Sequence, residues 1–287
     1  MRIGRSVIGV LLSLALCSCA QLGMIDDGTS VSWLRTNGGN LLGPVKLPRH
    51  GDGYRIPKRW ATRGLNYGTD EMVSLLVHMG REMKKKFPRA LIGVADISLA
   101  KGGGSAWHRS HQGGRDTDLL IFGKTIAGKR VNGTAMRYFD EAGVTVKETG
   151  PKPRPKLRFD VERTWHMVRV ALTNPIARVQ YMFIYDPLKQ QLLDYALRIG
   201  EPRALLQQAS YVLHQPSDSA KHNDHIHMRI YCSAEDLRVG CIDRGDLRWT
   251  KKHSKYTYAG YQSPNPHATV TSALPLPVPV GLTLPFR

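Results

Sequence analysis

Acidic residues are scarce in this chain. Its 287 residues hold 23 Asp and Glu against 41 Lys and Arg, a formal net charge of +18. Such a balance favours an acidic partner: nucleic acid, anionic lipid or a carboxylate-rich polymer. Cysteine is nearly absent, with four residues at 17, 19, 232 and 241. That excludes a small disulfide-dense scaffold and leaves the fold to a hydrophobic core. Long apolar runs are missing too. The stretch Val7 to Leu16 is too short to span a bilayer comfortably. No internal repeat is visible. Gly123-Lys124-Thr125 fails as a phosphate-binding loop, because Asp118 stands where the first glycine belongs.

The N-terminus carries an export pattern. Arg2 and Arg5 precede the apolar stretch, which ends Leu16-Cys17-Ser18-Cys19. This ending resembles a bacterial lipobox, so Cys19 is expected to be lipidated and to become the mature N-terminus, with residues 1–18 as signal peptide. The alternative is an ordinary cleaved signal. Ala20 gives no acidic inner-membrane retention signal, so a periplasmic lipoprotein of the outer membrane is expected. Export weakens the nucleic-acid reading, and no nucleic acid is expected as partner. The charge falls only to +16 when Arg2 and Arg5 leave. Cys17 departs with the signal and Cys19 carries lipid, so Cys232 and Cys241 remain to form one disulfide in an oxidising compartment. Zinc binding through that pair is the rival reading.

Histidine is concentrated in two short segments. Trp107-His-Arg-Ser-His-Gln-Gly-Gly-Arg-Asp-Thr-Asp118 holds His108, His111 and Asp118, and Lys221-His-Asn-Asp-His-Ile-His-Met-Arg229 holds His222, His225 and His227. Two imidazoles and a carboxylate form a set that catalytic zinc prefers, with the fourth position left open. Further imidazoles can move protons near neutral pH.

These segments resemble the His-x-x-His-x-x-x-x-x-x-Asp and His-x-x-His-x-His motifs of the penicillin-insensitive murein endopeptidases. Those are zinc peptidases that cut D-alanyl–diaminopimelyl cross-links in peptidoglycan. The resemblance covers about residues 65–245. It implies that His111, Asp118 and His227 hold a catalytic zinc ion, with His225 and His222 as catalytic histidines beside it. His108 matches a residue that can hold a second metal. The Asp-x-x-His partners of that metal are not evident between 118 and 165, so the number of ions stays open. His225 leads Asp224 as proton-transfer group, and Asp116 could orient a ligand because it shares a strand face with Asp118. Three other functions fit parts of the pattern: a zinc D,D-carboxypeptidase trimming stem peptides, a secreted metal-dependent nuclease, and a non-catalytic murein-binding lipoprotein.

The expected fold is α+β, a single domain in which a small antiparallel sheet carries the zinc site between flanking helices. Residues 19–64 read as a tether and irregular lead-in, 65–261 as the peptidase domain and 262–287 as a Pro-rich tail. Met72, Leu75, Leu76, Met79 and Met83 mark a helix over 69–87, with Thr69 or Asp70 as its cap. Lys84 to Lys86 would be its solvated end. Another helix is expected over 161–173 with Asp160 as cap, and others over 188–199 and 203–213. Strands are expected at 90–98, at 118–122 starting on Asp118, and at 179–185. The run 225–231 alternates, which aims His225 and His227 at one face.

Overall fold

The computed structural model describes residues 30–146 and 154–245. Cys19, the export segment and the Pro-rich tail lie outside the described residues. In chain order the elements begin with β1 (Val31–Trp33), β2 (Asn40–Leu42), β3 (Val45–Lys46), β4 (His50–Gly51), β5 (Tyr54–Arg55), α1 (Lys58–Ala61), β6 (Tyr67–Gly68) and α2 (Asp70–Lys86). Next come β7 (Ile92–Val94), β8 (Asp116–Leu120), β9 (Gly123–Thr125), β10 (Arg130–Val131), β11 (Leu157–Phe159) and α3 (Val161–Thr173). The last are β12 (Val179–Phe183), α4 (Asp186–Arg198), α5 (Arg203–Val212), β13 (Leu213–His214), β14 (His225–Ile230) and α6 (Ala234–Arg238). One compact unit runs to Asp243; of the second unit, Arg244–Arg287, only Arg244 and Gly245 are described. Among the described residues no helix is long and apolar enough to cross a membrane.

The helices follow their sequence signals. Thr69 Oγ1 accepts from the Met72 amide and caps α2, while Met72, Leu75, Leu76, Met79 and Met83 are fully buried. Burying side chains of this size contributes on the order of 1.5–3 kcal/mol each. Lys84 to Lys86 are exposed, as a solvated helix end should be. Asp160 caps α3 by accepting from the Arg163 amide, and Trp165 on that helix is 1% exposed. α2 packs on α3, and α3 packs on α4 and α5.

The expected small antiparallel sheet is larger and mixed. Seven strands run in the order β13-β12-β14-β8-β7-β5-β4. The four central strands pair antiparallel, but β13 pairs parallel with β12, and β5 parallel with β7. Parallel neighbours need a crossover. Helices α4 and α5 supply it between β12 and β13, and the span from α1 to α2 supplies it between β5 and β7. Three smaller sheets accompany the central one among the described residues.

Residues 31–64, expected as an irregular lead-in, hold β1 to β5, two of which extend the central sheet. Strands of two or three residues are too short to display a period-two pattern. Their anchors are buried side chains, among them Leu41, Leu47, Tyr54, Ile56 and Trp60. The strand expected to begin at Asp118 begins two residues earlier, so Asp118 sits at its centre. The polar pair Asp116 and Thr117 hid that start.

Candidate metal centre

Strand register assembles the centre. β14 and β8 are antiparallel neighbours in which His227 pairs with Asp118 and Arg229 with Asp116. Directly opposed residues share a sheet face, so the alternation of both strands gathers His225, His227, Asp118 and Asp116 on one side.

The connection from β7 to β8 delivers the remaining groups. His111 adopts φ 64°, the left-handed region, which costs on the order of 1–3 kcal/mol for a residue with a side chain. Its backbone amide donates to Asp116 Oδ2 at 3.1 Å, and its Nδ1–H donates to the Ile97 carbonyl at 2.7 Å. Two glycines permit this path. A Cβ on Gly102 would lie 2.1 Å from the Gln112 carbonyl oxygen, and one on Gly114, at φ 72°, would lie 2.9 Å from the Thr69 nitrogen. The triple glycine at 102–104 therefore shapes the histidine loop, with the Gly103 amide donating to the Gln112 carbonyl.

Three acceptor atoms converge at the centre. His111 Nε2 lies 3.3 Å from Asp118 Oδ1, His227 Nδ1 lies 3.2 Å from the same oxygen, and the two nitrogens are 3.2 Å apart. Ligand atoms at about 2.0–2.1 Å from a tetrahedral zinc are separated by roughly 3.3 Å, the edge of this triangle. The tautomers fit as well. A carbonyl can only accept, so His111 carries its proton on Nδ1 and turns the Nε2 lone pair inward. The buried Asp116 carboxylate lies 3.1 Å from His227 Nε2, so that nitrogen donates and Nδ1 faces inward. Asp118 Oδ1 is itself buried without a hydrogen-bond partner of good geometry. Three lone pairs facing one another, with no donor among them, call for a cation. The residues present fit a divalent metal.

His108 adds a fourth, looser member. It stacks on His111 at 4.0 Å between ring centroids, and ligand-capable atoms of His108, His111 and Asp118 lie within 4.8 Å of one another. His108 Nδ1 reaches only the second oxygen of Asp118, at 3.8 Å. The His111–Asp118–His227 set is tighter and is preferred on that ground. His108 Nε2 donates to Asp96 Oδ2 at 2.8 Å, and Arg63 donates to the same oxygen at 2.5 Å.

The other two histidines flank the triangle. His225 Nδ1 donates to Asp224 Oδ1 at 2.7 Å, which turns Nε2 toward Asp118 Oδ1 at 3.6 Å. His222 sits against His225 at 5.2 Å between ring centroids, with its Nδ1 buried and unpartnered. Phe183 stacks on the His227 ring from the next strand, at 5.2 Å and 17°.

Electrostatics separate these groups. Burial alone would raise the Asp118 pKa, but the imidazoles of His111 and His225 outweigh it and hold the carboxyl well below its usual range. Asp116 is held low in the same way, burial being overcome by the Arg229 guanidinium and His227. Burial pushes His225 down, yet Asp118 and Asp224 overcome that and raise it. His227 is raised against burial by Asp116 and Asp118. His222 goes the other way, to about 4, through burial and the neighbouring His225 and His227.

The sequence profile of the family described as penicillin-insensitive murein endopeptidase matches residues 35–250. The chain belongs to that family. A penicillin-insensitive murein endopeptidase of Haemophilus influenzae is 25% identical to it over 253 residues, spanning 86% of this chain and 78% of the relative. The profile match begins well before residue 65, in keeping with the strands found between 31 and 64.

In this member of the murein endopeptidase family, the expected residues His108, His111, Asp118, His222, His225 and His227 surround one point. Asp224 is the hydrogen-bond partner of His225, and Asp116 that of His227. Cys232 and Cys241 form a disulfide. Asp96 and Arg63 were not singled out from the sequence. A signal existed, because an aspartate inside the apolar run 90–98 is buried and requires a partner.

Proposed function

We propose that the protein is a zinc metallopeptidase that hydrolyses D-alanyl–meso-diaminopimelyl cross-links in peptidoglycan. The observation that carries this reading is the triangle of His111, Asp118 and His227, within a chain of the murein endopeptidase family. These three residues would hold the zinc. When bound, it supplies Lewis acidity toward water and toward the scissile carbonyl.

The chain's own residues do the rest. Asp224 fixes the tautomer of His225, leaving Nε2 as the atom that holds and moves a proton at the centre. Because its pKa is raised, His225 in its protonated form can hydrogen-bond the carbonyl oxygen or give a proton to the leaving amine. His222, with a pKa near 4, is neutral at pH 7 and is suited to orienting substrate through hydrogen bonds. Stem peptides carry free carboxylates, and the +18 chain attracts such a polymer. Export as an outer-membrane lipoprotein through Cys19 belongs to the same proposal. It is supported by the N-terminal pattern and by the location of the polymer.

Incubation of the purified protein with defined cross-linked muropeptides tests this reading. Dimers should fall to monomers, chelators should stop the reaction and zinc should restore it. Penicillin should not inhibit, because a water nucleophile forms no acyl-enzyme. Release of terminal D-alanine alone would identify a carboxypeptidase, and cleavage of DNA or RNA a nuclease; either result overturns the endopeptidase assignment.

A further inference from the structure

Asp116 is wholly buried at the start of β8, two residues before Asp118, and it holds both histidine-bearing segments. Oδ1 accepts from His227 Nε2 at 3.1 Å and from Arg229 Nε at 2.6 Å. Oδ2 accepts from the backbone amide of His111 at 3.1 Å, where that residue is in the left-handed conformation. Three donors from a strand and a loop thus meet one carboxylate. Only an ionised carboxylate offers two acceptor oxygens to such a set; an amide in its place would turn an NH2 toward at least one donor. Arg229, opposite Asp116 in the β8–β14 register, balances the buried charge and fixes its position.

We infer that Asp116 is a positioning residue that presets the metal centre from two sides, fixing the His227 tautomer while pinning the His111 backbone. This inference rests on the ligand assignment proposed above. It differs from an outer hydrogen bond to a single ligand, because the same carboxylate spans the strand and the loop. Its loss should loosen both histidines together, and centres of this kind commonly lose about 10–100-fold in metal affinity when an outer partner is removed.

The test measures zinc affinity of purified wild type, Asp116→Asn and Asp118→Ala by competition with a chelating dye, with circular dichroism as a check on folding. Nitrogen-15 imidazole spectra of the metal-free wild type give the His227 tautomer directly. We expect Asp116→Asn to bind zinc about 10–100-fold more weakly with its fold retained, and its cobalt-substituted form to show altered d–d absorption. In the wild type, His227 should carry its proton on Nε2 at pH values where it is neutral. Wild-type zinc affinity in a folded Asp116→Asn protein overturns the inference. So does a neutral His227 protonated on Nδ1, a result that needs no variant and so stands even where Asp116→Asn fails to fold. Full zinc affinity in Asp118→Ala removes the ligand assignment itself, and this inference with it. Loss of zinc in Asp118→Ala alone, with Asp116→Asn unaffected, removes only this inference.

Discussion

Asp118 and His227 stand directly opposite each other in neighbouring strands, and their facing atoms, Oδ1 and Nδ1, are 3.2 Å apart. The sheet register therefore fixes one edge of the candidate metal triangle, and only His111 must be brought in by a loop. Rigid strands hold two of its corners, and a loop in the left-handed conformation at His111 supplies the third.

Removal of any corner should empty the centre. His111→Ala, Asp118→Ala and His227→Ala are expected to lose tightly bound zinc and hydrolysis together. His225→Ala should keep its zinc and lose about 10²–10⁴ in rate if it transfers a proton. Metal content by emission spectroscopy beside muropeptide turnover separates the two outcomes. Full occupancy in His111→Ala contradicts the ligand set.

Zinc affinity should fall on acidification. The same cluster that attracts a cation raises the His227 pKa above its ordinary 6.5 in the metal-free chain, so a proton competes for Nδ1 near neutral pH. Metal binding then releases protons, and the apparent affinity drops about tenfold per pH unit for each proton displaced. Calorimetry in buffers of different ionisation enthalpy, between pH 5.5 and 8, measures that release. An affinity flat across the range rules out proton competition.

Acid should also weaken the fold itself, away from the centre. His78 on α2 and His166 on α3 are both held below 6.5 by burial. The unfolded chain takes up protons first as the pH falls through 6.5, so the full contribution to stability is present above that value. It is lost progressively between 6.5 and the lower folded values. Urea midpoints at pH 7.5 and 5.0 should differ less for His78→Gln/His166→Gln than for the wild type. An unchanged difference would sink this account.

The Cys232–Cys241 disulfide should matter for stability more than for chemistry. It closes a loop of sequence separation 9 in the segment after β14, where the Cys241 amide donates to the Asp236 carbonyl and the Asp236 carboxylate accepts from the Ser32 amide. Cys232→Ser/Cys241→Ser should cost about 2–3 kcal/mol. Denaturant unfolding measures the loss, and turnover per folded molecule should stay within a few-fold of the wild type. A drop in turnover as large as that of His225→Ala would show that the segment shapes the centre.

Elements whose signals are local can be read from the order of residues alone. The spacing of Met72, Leu75, Leu76, Met79 and Met83, the cap at Thr69 and the alternation of residues 225–231 each reflect a backbone period, so α2 and β14 were legible. Motif spacing marked the six residues that surround the centre. Tertiary structure decided what depends on neighbours remote in the chain. The crossovers that set β5 parallel to β7 and β13 parallel to β12 leave no periodic trace in segments of two residues. The left-handed turn at His111 depends on Asp116, the Ile97 carbonyl and glycines that let other backbone approach closely. The pairing of Asp96 with His108, Asp224 with His225 and Asp116 with His227 fixes which nitrogen of each ring faces the centre. A sequence names imidazoles, but the direction of their lone pairs is set by a hydrogen bond on the far side of the ring, and only the folded chain supplies that bond.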